Sequence, residues 1–328
     1  MLDGSVRIAE SKLRISCVLI DATTGKHIWA EGYDGAIEDV FDLQDRITSR
    51  IAATIYPKIQ RAEIARAQAK PTDSLSAYDL YLRAIAEIQN RSESSLNRAI
   101  ELLGHAIAAD QHFSAAYGFL ANAYLILRVN GWGSDNEAKT RGFDAAQTAV
   151  ELGRDDPIAL SLGGFSLAYL GGRLEEGLAH IERALTLNPN YVGAWQGRGT
   201  VHCWIGDHEK CIQYHERSLH LSPQDAFAFE SYMAISAAHF YLGHFDQALN
   251  WAERALRERP RFMPALLLKI VASAMDGSLS DQQRAAIQQM KSTRPGVSIA
   301  TIMQRATVSR SQDRELFETA LRKAGFPE

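Results

Sequence analysis

Four prolines set the rhythm of this chain. Pro189, Pro223, Pro260 and Pro295 stand 34, 37 and 35 residues apart, a spacing that matches the length of a helix-turn-helix repeat. The first three sit in turn-like stretches: Asn188-Pro189-Asn190-Tyr191, Leu221-Ser222-Pro223-Gln224 and Arg259-Pro260-Arg261-Phe262. Between Pro189 and Pro223, Trp195, Gly199, His202, Gly206, His208, Cys211, His215 and Ser218 follow in order. Gly199, Cys211 and Ser218 are small where two antiparallel helices must come close. Trp195, His202, His208 and His215 fill the space between them. One such hairpin cannot cover its own apolar face, so its neighbours must stack on it.

In order and spacing these residues resemble the tetratricopeptide repeat. The resemblance implies a mainly α chain, a tetratricopeptide-type α-solenoid, and helix pairs can be assigned along its length. A first pair spans Tyr78 to Asn90 and Leu96 to Ala109; a second starts at Ala116, and its turn reads as enlarged, from Arg128 to Arg141, either tolerated surface or a contact site. A third covers Pro157 to Leu187, where Gly163, Gly164, Gly171 and Gly172 are expected to loosen the geometry. Tyr232 to Arg259 forms a fifth pair, Ala265 to Thr293 a degenerate sixth, and Val297 to Phe326 one or two capping helices.

The N-terminal part has a different period. Leu13, Ile15, Cys17 and Leu19 alternate with polar residues, the pattern of a half-buried strand. His27 to Ala30 reads as a second strand and Gly4 to Ala9 as a third. Leu43, Ile47, Ile51, Ile55 and Ile59 then recur every four residues, the mark of a long helix broken at Pro71. The expected division is 1–70 for this strand-and-helix part, 71–296 for the repeats and 297–328 for the cap. Leu2-Asp3-Gly4-Ser5-Val6-Arg7, Leu19-Ile20-Asp21-Ala22-Thr23-Thr24-Gly25, Ile28-Trp29-Ala30-Glu31 and Phe41-Asp42-Leu43-Gln44-Asp45 resemble the second half of a TolB-like α/β module. That module precedes such repeats in bacterial adenylate/guanylate cyclase-like proteins and CadC-type regulators, where a cyclase or winged-helix domain lies upstream. A sheet of three strands leaves an edge open to pairing, so completion by another chain, a second copy or an upstream segment is expected.

Composition narrows the function. A formal charge of −4 over 328 residues, with scattered arginines such as Arg305, Arg310 and Arg314, argues against nucleic-acid binding. No apolar run is long enough to span a bilayer, no secretory leader is visible, and three cysteines fit a reducing compartment; a cytoplasmic protein is expected. His202, Cys203, His208, Cys211, His215 and His220 tempt a zinc reading, but four of them hold packing positions in the repeat, so no metal and no other cofactor is assigned. No phosphate-cradling loop, nucleophile elbow or kinase signature occurs, which leaves no catalytic candidate.

What remains is binding. In such repeats the first helix of each pair lines the concave groove. Counting outward positions gives Asn122 in the second pair, Phe165 and Tyr169 in the third, Gln196, Thr200 and Trp204 in the fourth, and Met233 and Tyr241 in the fifth. Tyr169, Trp204 and Tyr241 recur at one equivalent position. Two readings stand: these aromatics pack on the next repeat or beneath the C-terminal helices, or they floor a groove for a peptide or protein partner. No Lys or Arg at these positions would clamp a terminal carboxylate, so the expected ligand is apolar or amphipathic. The functional expectation is a non-catalytic interaction scaffold in bacterial signalling, or alternatively the regulatory part of a cyclase-like enzyme whose catalytic domain lies outside this chain.

Overall fold

A computed structural model describes residues 1–9, 12–21, 25–36, 58–59, 62–64, 76–223, 225, 227–281, 284, 287–288 and 297–328. Three strands open the chain, β1 (Leu2–Ala9), β2 (Lys12–Ile20) and β3 (His27–Ala36), antiparallel and in sequence order. The register sets Leu2, Val6 and Ile8 opposite Leu19, Ile15 and Leu13, and sets Ile15 and Leu19 opposite Tyr33 and Trp29. The period-two pattern therefore gathers the apolar side chains on one face. Leu13, Cys17, Leu19, Trp29 and Tyr33 are buried there, whereas β1 is exposed along its whole length, with Val6 at 61% and Ile8 at 63%. β3 runs on to Ala36, well past Ala30, because Glu31 to Ala36 pair with Cys17 to Lys12 of β2 and Tyr33 continues the buried face, which Gly32 and Gly35 hide in the sequence pattern. The long helix expected over 41–70 falls mostly outside the described residues; 58–59 and 62–64 are helical, and Ile64 packs on the first hairpin.

From Ala77 onward the described chain is helical hairpins. The first is α1 (Ala77–Asn90) with α2 (Glu93–Ala109), the second α3 (Ser114–Asn130) with α4 (Asp135–Leu152), and the third α5 (Pro157–Gly171) with α6 (Leu174–Leu187). The fourth is α7 (Val192–Ile205) with α8 (His208–Leu221), and the fifth α9 (Ala228–Tyr241) with α10 (Phe245–Glu258). Then come α11 (Met263–Asp276), α12 (Ile299–Arg305) and α13 (Ser311–Ala324). The repeating prolines have a local role. Asn188, Ser222 and Arg259 each precede one and take φ −141°, −135° and −135° with ψ near +90°, because a residue before proline is driven out of the helical region. Each second helix thus stops at the same point of its repeat.

The first helices of successive hairpins pack on one another, whereas the second helices pack within their own hairpin and on the next first helix. The first helices consequently line the inner side of the stack. The curl is tight: Arg91, in the turn of the first hairpin, pairs with Glu230 and lies 5.3 Å from the Phe227 ring centroid in the fifth. Arg259 donates to the Gln89 carbonyl at 3.1 Å across the same gap. At the far end α13 seats Phe317, Ala320, Leu321 and Ala324 against Ile270 and Val271 of α11.

Two expectations are corrected. The turn of the second hairpin is short, because Ser134 accepts from the Glu137 amide and starts α4 at once, with Asp135 and Glu137 in its first turn. Gly163, Gly164 and Gly171 do not loosen the third hairpin either; they mark close approaches, whereas Gly172 closes α5 at φ +67° with open space around it. A Cβ on Gly177 would lie 2.3 Å from the Gly164 carbonyl oxygen, and one on Gly163 2.7 Å from Val150. Backbone on both sides leaves Gly177 no room to relax. Gly177→Ala is expected to destabilise the protein by about 1–3 kcal/mol through overpacking. Gly104→Ala, in mid-α2 with nothing within 4 Å, is expected to stabilise it by about 0.5–1 kcal/mol. Urea denaturation of the two variants checks both signs.

Candidate functional site: the inner groove and the segment across it

The inner face of the third and fourth hairpins carries an aromatic cluster. Phe165 and Trp204 stack with ring centroids 5.1 Å apart, and Tyr169 tilts against Trp204 at 5.5 Å. Arg128 lies 5.3 Å from the Tyr169 ring centroid. The helical spacing explains the meeting: Phe165 and Tyr169 are one turn apart on α5, and Trp204 reaches them from the last turn of α7.

A segment of the same chain crosses this surface. The Tyr169 hydroxyl donates to the Arg305 carbonyl at 3.3 Å, and the Ser309 amide donates to the Trp204 carbonyl at 3.2 Å. Arg310 Nη1 donates to the Gly206 carbonyl at 2.9 Å. Gly131 and Gly206, which close α3 and α7 in the left-handed region at φ +68° and +100°, each lie beneath one of these arginines. A Cβ on Gly131 would stand 2.3 Å from the Arg305 guanidinium, and one on Gly206 1.9 Å from Arg310 Cδ. Residues 305–310 thus strap the groove from the second hairpin to the fourth.

The strap ends at a buried polar anchor. His208 Nε2 and an Asp313 carboxylate oxygen are 2.8 Å apart, both side chains almost fully enclosed. Tyr241 stacks on the His208 ring at 5.1 Å and meets Phe317 edge-on at 6.4 Å. Burial pulls the His208 pKa down, but hydrogen bonds and charge from Cys203 and Asp313 outweigh it and hold it above its ordinary value. The Cys203 thiol is lowered to about 6, first by its hydrogen bond with Cys211 and then, against burial, by His208. Burial and Cys203 push Cys211 the other way. A thiol, an imidazole and a carboxylate in sequence could support nucleophilic chemistry in an open site; here the Tyr241 ring covers His208, and the His208 and Asp313 pair ties α13 to the fourth hairpin.

The sequence-derived residues divide. Phe165, Tyr169 and Trp204 come together beneath the strap, and Tyr241 lies beyond it under α13. Thr200 turns inward instead: its hydroxyl lies 3.2 Å from His215 Nε2, and His215 Nδ1 lies 3.1 Å from Ser231. Gln196 donates to Asp225 at 2.7 Å. Met233 packs with Phe229 and Phe262, and Asn122 is half-buried on α3. His202 pairs with Asp207 and His215 with Thr200 and Ser231, while Cys203, His208 and Cys211 adjoin one another; among the described residues no group of three His, Cys, Asp or Glu side chains is arranged to hold a metal ion. Sequence reasoning gave no site role to Arg305, Arg310 or Asp313, read Gly206 as a repeat residue, and placed Gly131 in a turn left open as surface or contact site. Arg305 and Arg310 were visible only as scattered charges.

Comparison with known proteins agrees with this fold. Residues 191–257 match the tetratricopeptide repeat family. A protein of Rhizobium meliloti (strain 1021) named "Putative adenylate cyclase 3" is 32% identical over 158 residues, which is 48% of this chain and 27% of that protein. This chain therefore spans about a quarter of the length of the curated relative it matches. The structure of the human IFIT1 dimer with m7Gppp-AAAA superposes with a TM-score of 0.56 at 15% identity, over 66% of this chain and 51% of that one. PilW, a type IV pilus biogenesis factor, gives 0.48 at 17% identity over 67% and 94%. The chain is a mostly helical, tetratricopeptide-type solenoid with a small antiparallel sheet at its N-terminus.

His215 provides a pH test of the hairpin core. Burial pushes its pKa down to about 3, whereas an unfolded histidine titrates near about 6.5. Above that pH both states are neutral and its contribution is complete. As the pH falls further, the unfolded state takes up a proton that the folded state refuses, and stability drains away toward pH 3. Burial lowers His202 and His239 as well. Melting temperature should therefore drop between about pH 6.5 and 3, and His215→Gln should start lower and fall less steeply over that range.

Proposed function

We propose that the repeats form a protein-interaction scaffold in a bacterial signalling or regulatory system, holding a peptide or partner protein in the inner groove. The observation that carries this reading is the Phe165, Tyr169 and Trp204 cluster, set beside main-chain carbonyls of Trp204 and Gly206 that already accept hydrogen bonds from a peptide segment. Aromatic anchors together with main-chain acceptors are how a groove recognises an extended peptide. The regulatory setting is supported by the stretch shared with the cyclase-named protein of Rhizobium meliloti. Among the described residues no helix is long and apolar enough to cross a membrane.

A second reading, that the repeats regulate a cyclase-like catalytic domain in cis, is favoured by the large part of that relative that lies beyond the match. On either reading the sheet contributes its own contact. β1 is exposed and pairs with β2 alone among the described residues, so this edge is open to a strand from a second copy or from another segment. If a second copy supplies it, Val6→Lys together with Ile8→Lys should shift the protein from dimer to monomer in sedimentation; an unchanged mass would assign the edge elsewhere.

The groove reading is tested by affinity capture from the native cell. The unaltered chain should retain specific partners that the Tyr169→Ala, Trp204→Ala double variant loses, with its helical circular dichroism preserved. Partners that survive both changes would place binding outside the groove.

A further inference from the structure

Residues 305–310 show what the groove selects. Arg305-Ala306-Thr307-Val308-Ser309-Arg310 is non-helical from Ala306 to Ser309, half-buried at Ala306, Thr307 and Val308, and exposed at Arg305, Ser309 and Arg310. It meets the groove chiefly through main-chain groups: the Arg305 carbonyl accepts from Tyr169, and the Ser309 amide donates to Trp204. The two arginines reach down at either end, over Gly131 and onto the Gly206 carbonyl. These are the contacts of a bound extended peptide: a main-chain bond and an arginine toward each end, with the half-buried Ala306-Thr307-Val308 between them.

The strap differs from what flanks it. α13 is fixed by Phe317, Ala320 and Leu321 in the core and by Asp313 on His208, and α12 by Ile299 and Met303. The strap itself holds few apolar contacts, with its Tyr169 bond exposed and its Arg310 bond part-buried, so it opens at a lower cost than the helices that flank it. Its fixed ends keep it near the groove, which gives it an effective concentration of about millimolar against any free competitor.

Building on the proposal that the groove is a binding surface, we infer that residues 305–310 are an intramolecular stand-in for its ligand. The partner is an extended peptide segment with a short apolar middle and two arginines five residues apart. That partner binds by exchanging with the strap while α13 stays docked. Gly131 and Gly206 mark the ligand length, since a Cβ at either would crowd the arginine that lies over it.

The experiment uses the full chain and a fluorescein-labelled peptide with the sequence of residues 303–312. In the Ser309→Pro, Arg310→Ala variant the strap loses its amide donor and its Gly206 bond, and Asp313 loses the Arg310 guanidinium 3.8 Å away but keeps His208, while α13 keeps every core side chain. Fluorescence anisotropy should show the peptide binding this variant at least about tenfold more tightly than the unaltered chain, and Trp204→Ala in the released background should abolish that binding. Equal affinity for released and unaltered chains, or no binding to the released chain, would overturn the inference. A Gly206→Ala chain, whose new Cβ displaces Arg310, offers an independent release and should also bind more tightly than the unaltered chain. The groove reading fails separately, if the partners captured from cells are indifferent to Trp204→Ala.

Discussion

A helical hairpin of this length cannot bury both of its apolar stripes, and the structure follows from how neighbouring hairpins cover them. Small residues permit the coverage. Ala99, Ala106, Ala146, Ala149, Ala184, Ala248, Ala252 and Ala255 are fully enclosed, and the Gly163, Gly164 and Gly177 contacts admit no further atom. Close first helices and more widely spaced second helices bend the stack, until the first hairpin touches the fifth through Arg91 and Glu230. A bent stack has an inner face that can take an occupant. Here the C-terminal end of the same chain supplies one.

Two kinds of interaction hold that end, and their difference matters for function. The His208 and Asp313 pair is buried, and removing one partner of such a pair typically costs about 3–5 kcal/mol. Stacking of Tyr241 and the edge-on contact of Phe317 add about 0.5–1.5 kcal/mol each. The bonds of the strap are neutral-acceptor bonds at the surface or part-buried, individually worth about 0.5–1.5 kcal/mol. The end of the chain is therefore firmly docked at α13 and lightly held over the aromatic cluster. That arrangement allows the groove to be filled at rest and vacated without undoing the fold.

Much of the architecture was legible in the sequence because repetition forces regularity. The prolines at 189, 223 and 260 mark where second helices must stop, and the small residues at 199, 211 and 218 mark where helices must touch. The turn at 131–134 was hidden by its glycines, although Ser134 with Glu137 three residues on was a readable helix start. The glycines of the third hairpin were misjudged because propensity counts a glycine as a weakness, whereas contact geometry can make it the only residue that fits. The groove aromatics were visible at helical spacing, and their burial beneath the C-terminal part was one of the two readings left open. Which C-terminal residues cover them was not legible. Pairing Tyr169 with Arg305 or His208 with Asp313 needs the path of the chain across more than 100 residues, and no local pattern encodes it. Thr200 shows the same limit: counted as outward by period, it is drawn inward by His215.

The account stands or falls on whether residues 305–310 lie in the groove of the protein in solution. Residue-resolved amide hydrogen exchange reads this at a single atom, the Ser309 amide that donates to the Trp204 carbonyl. The account predicts measurable protection there, weaker than that of Leu321 in the docked helix and lost in the Ser309 region alone when the groove is filled by a competing peptide. Exchange of Ser309 at the rate of an unstructured chain, with α13 fully protected, would contradict it.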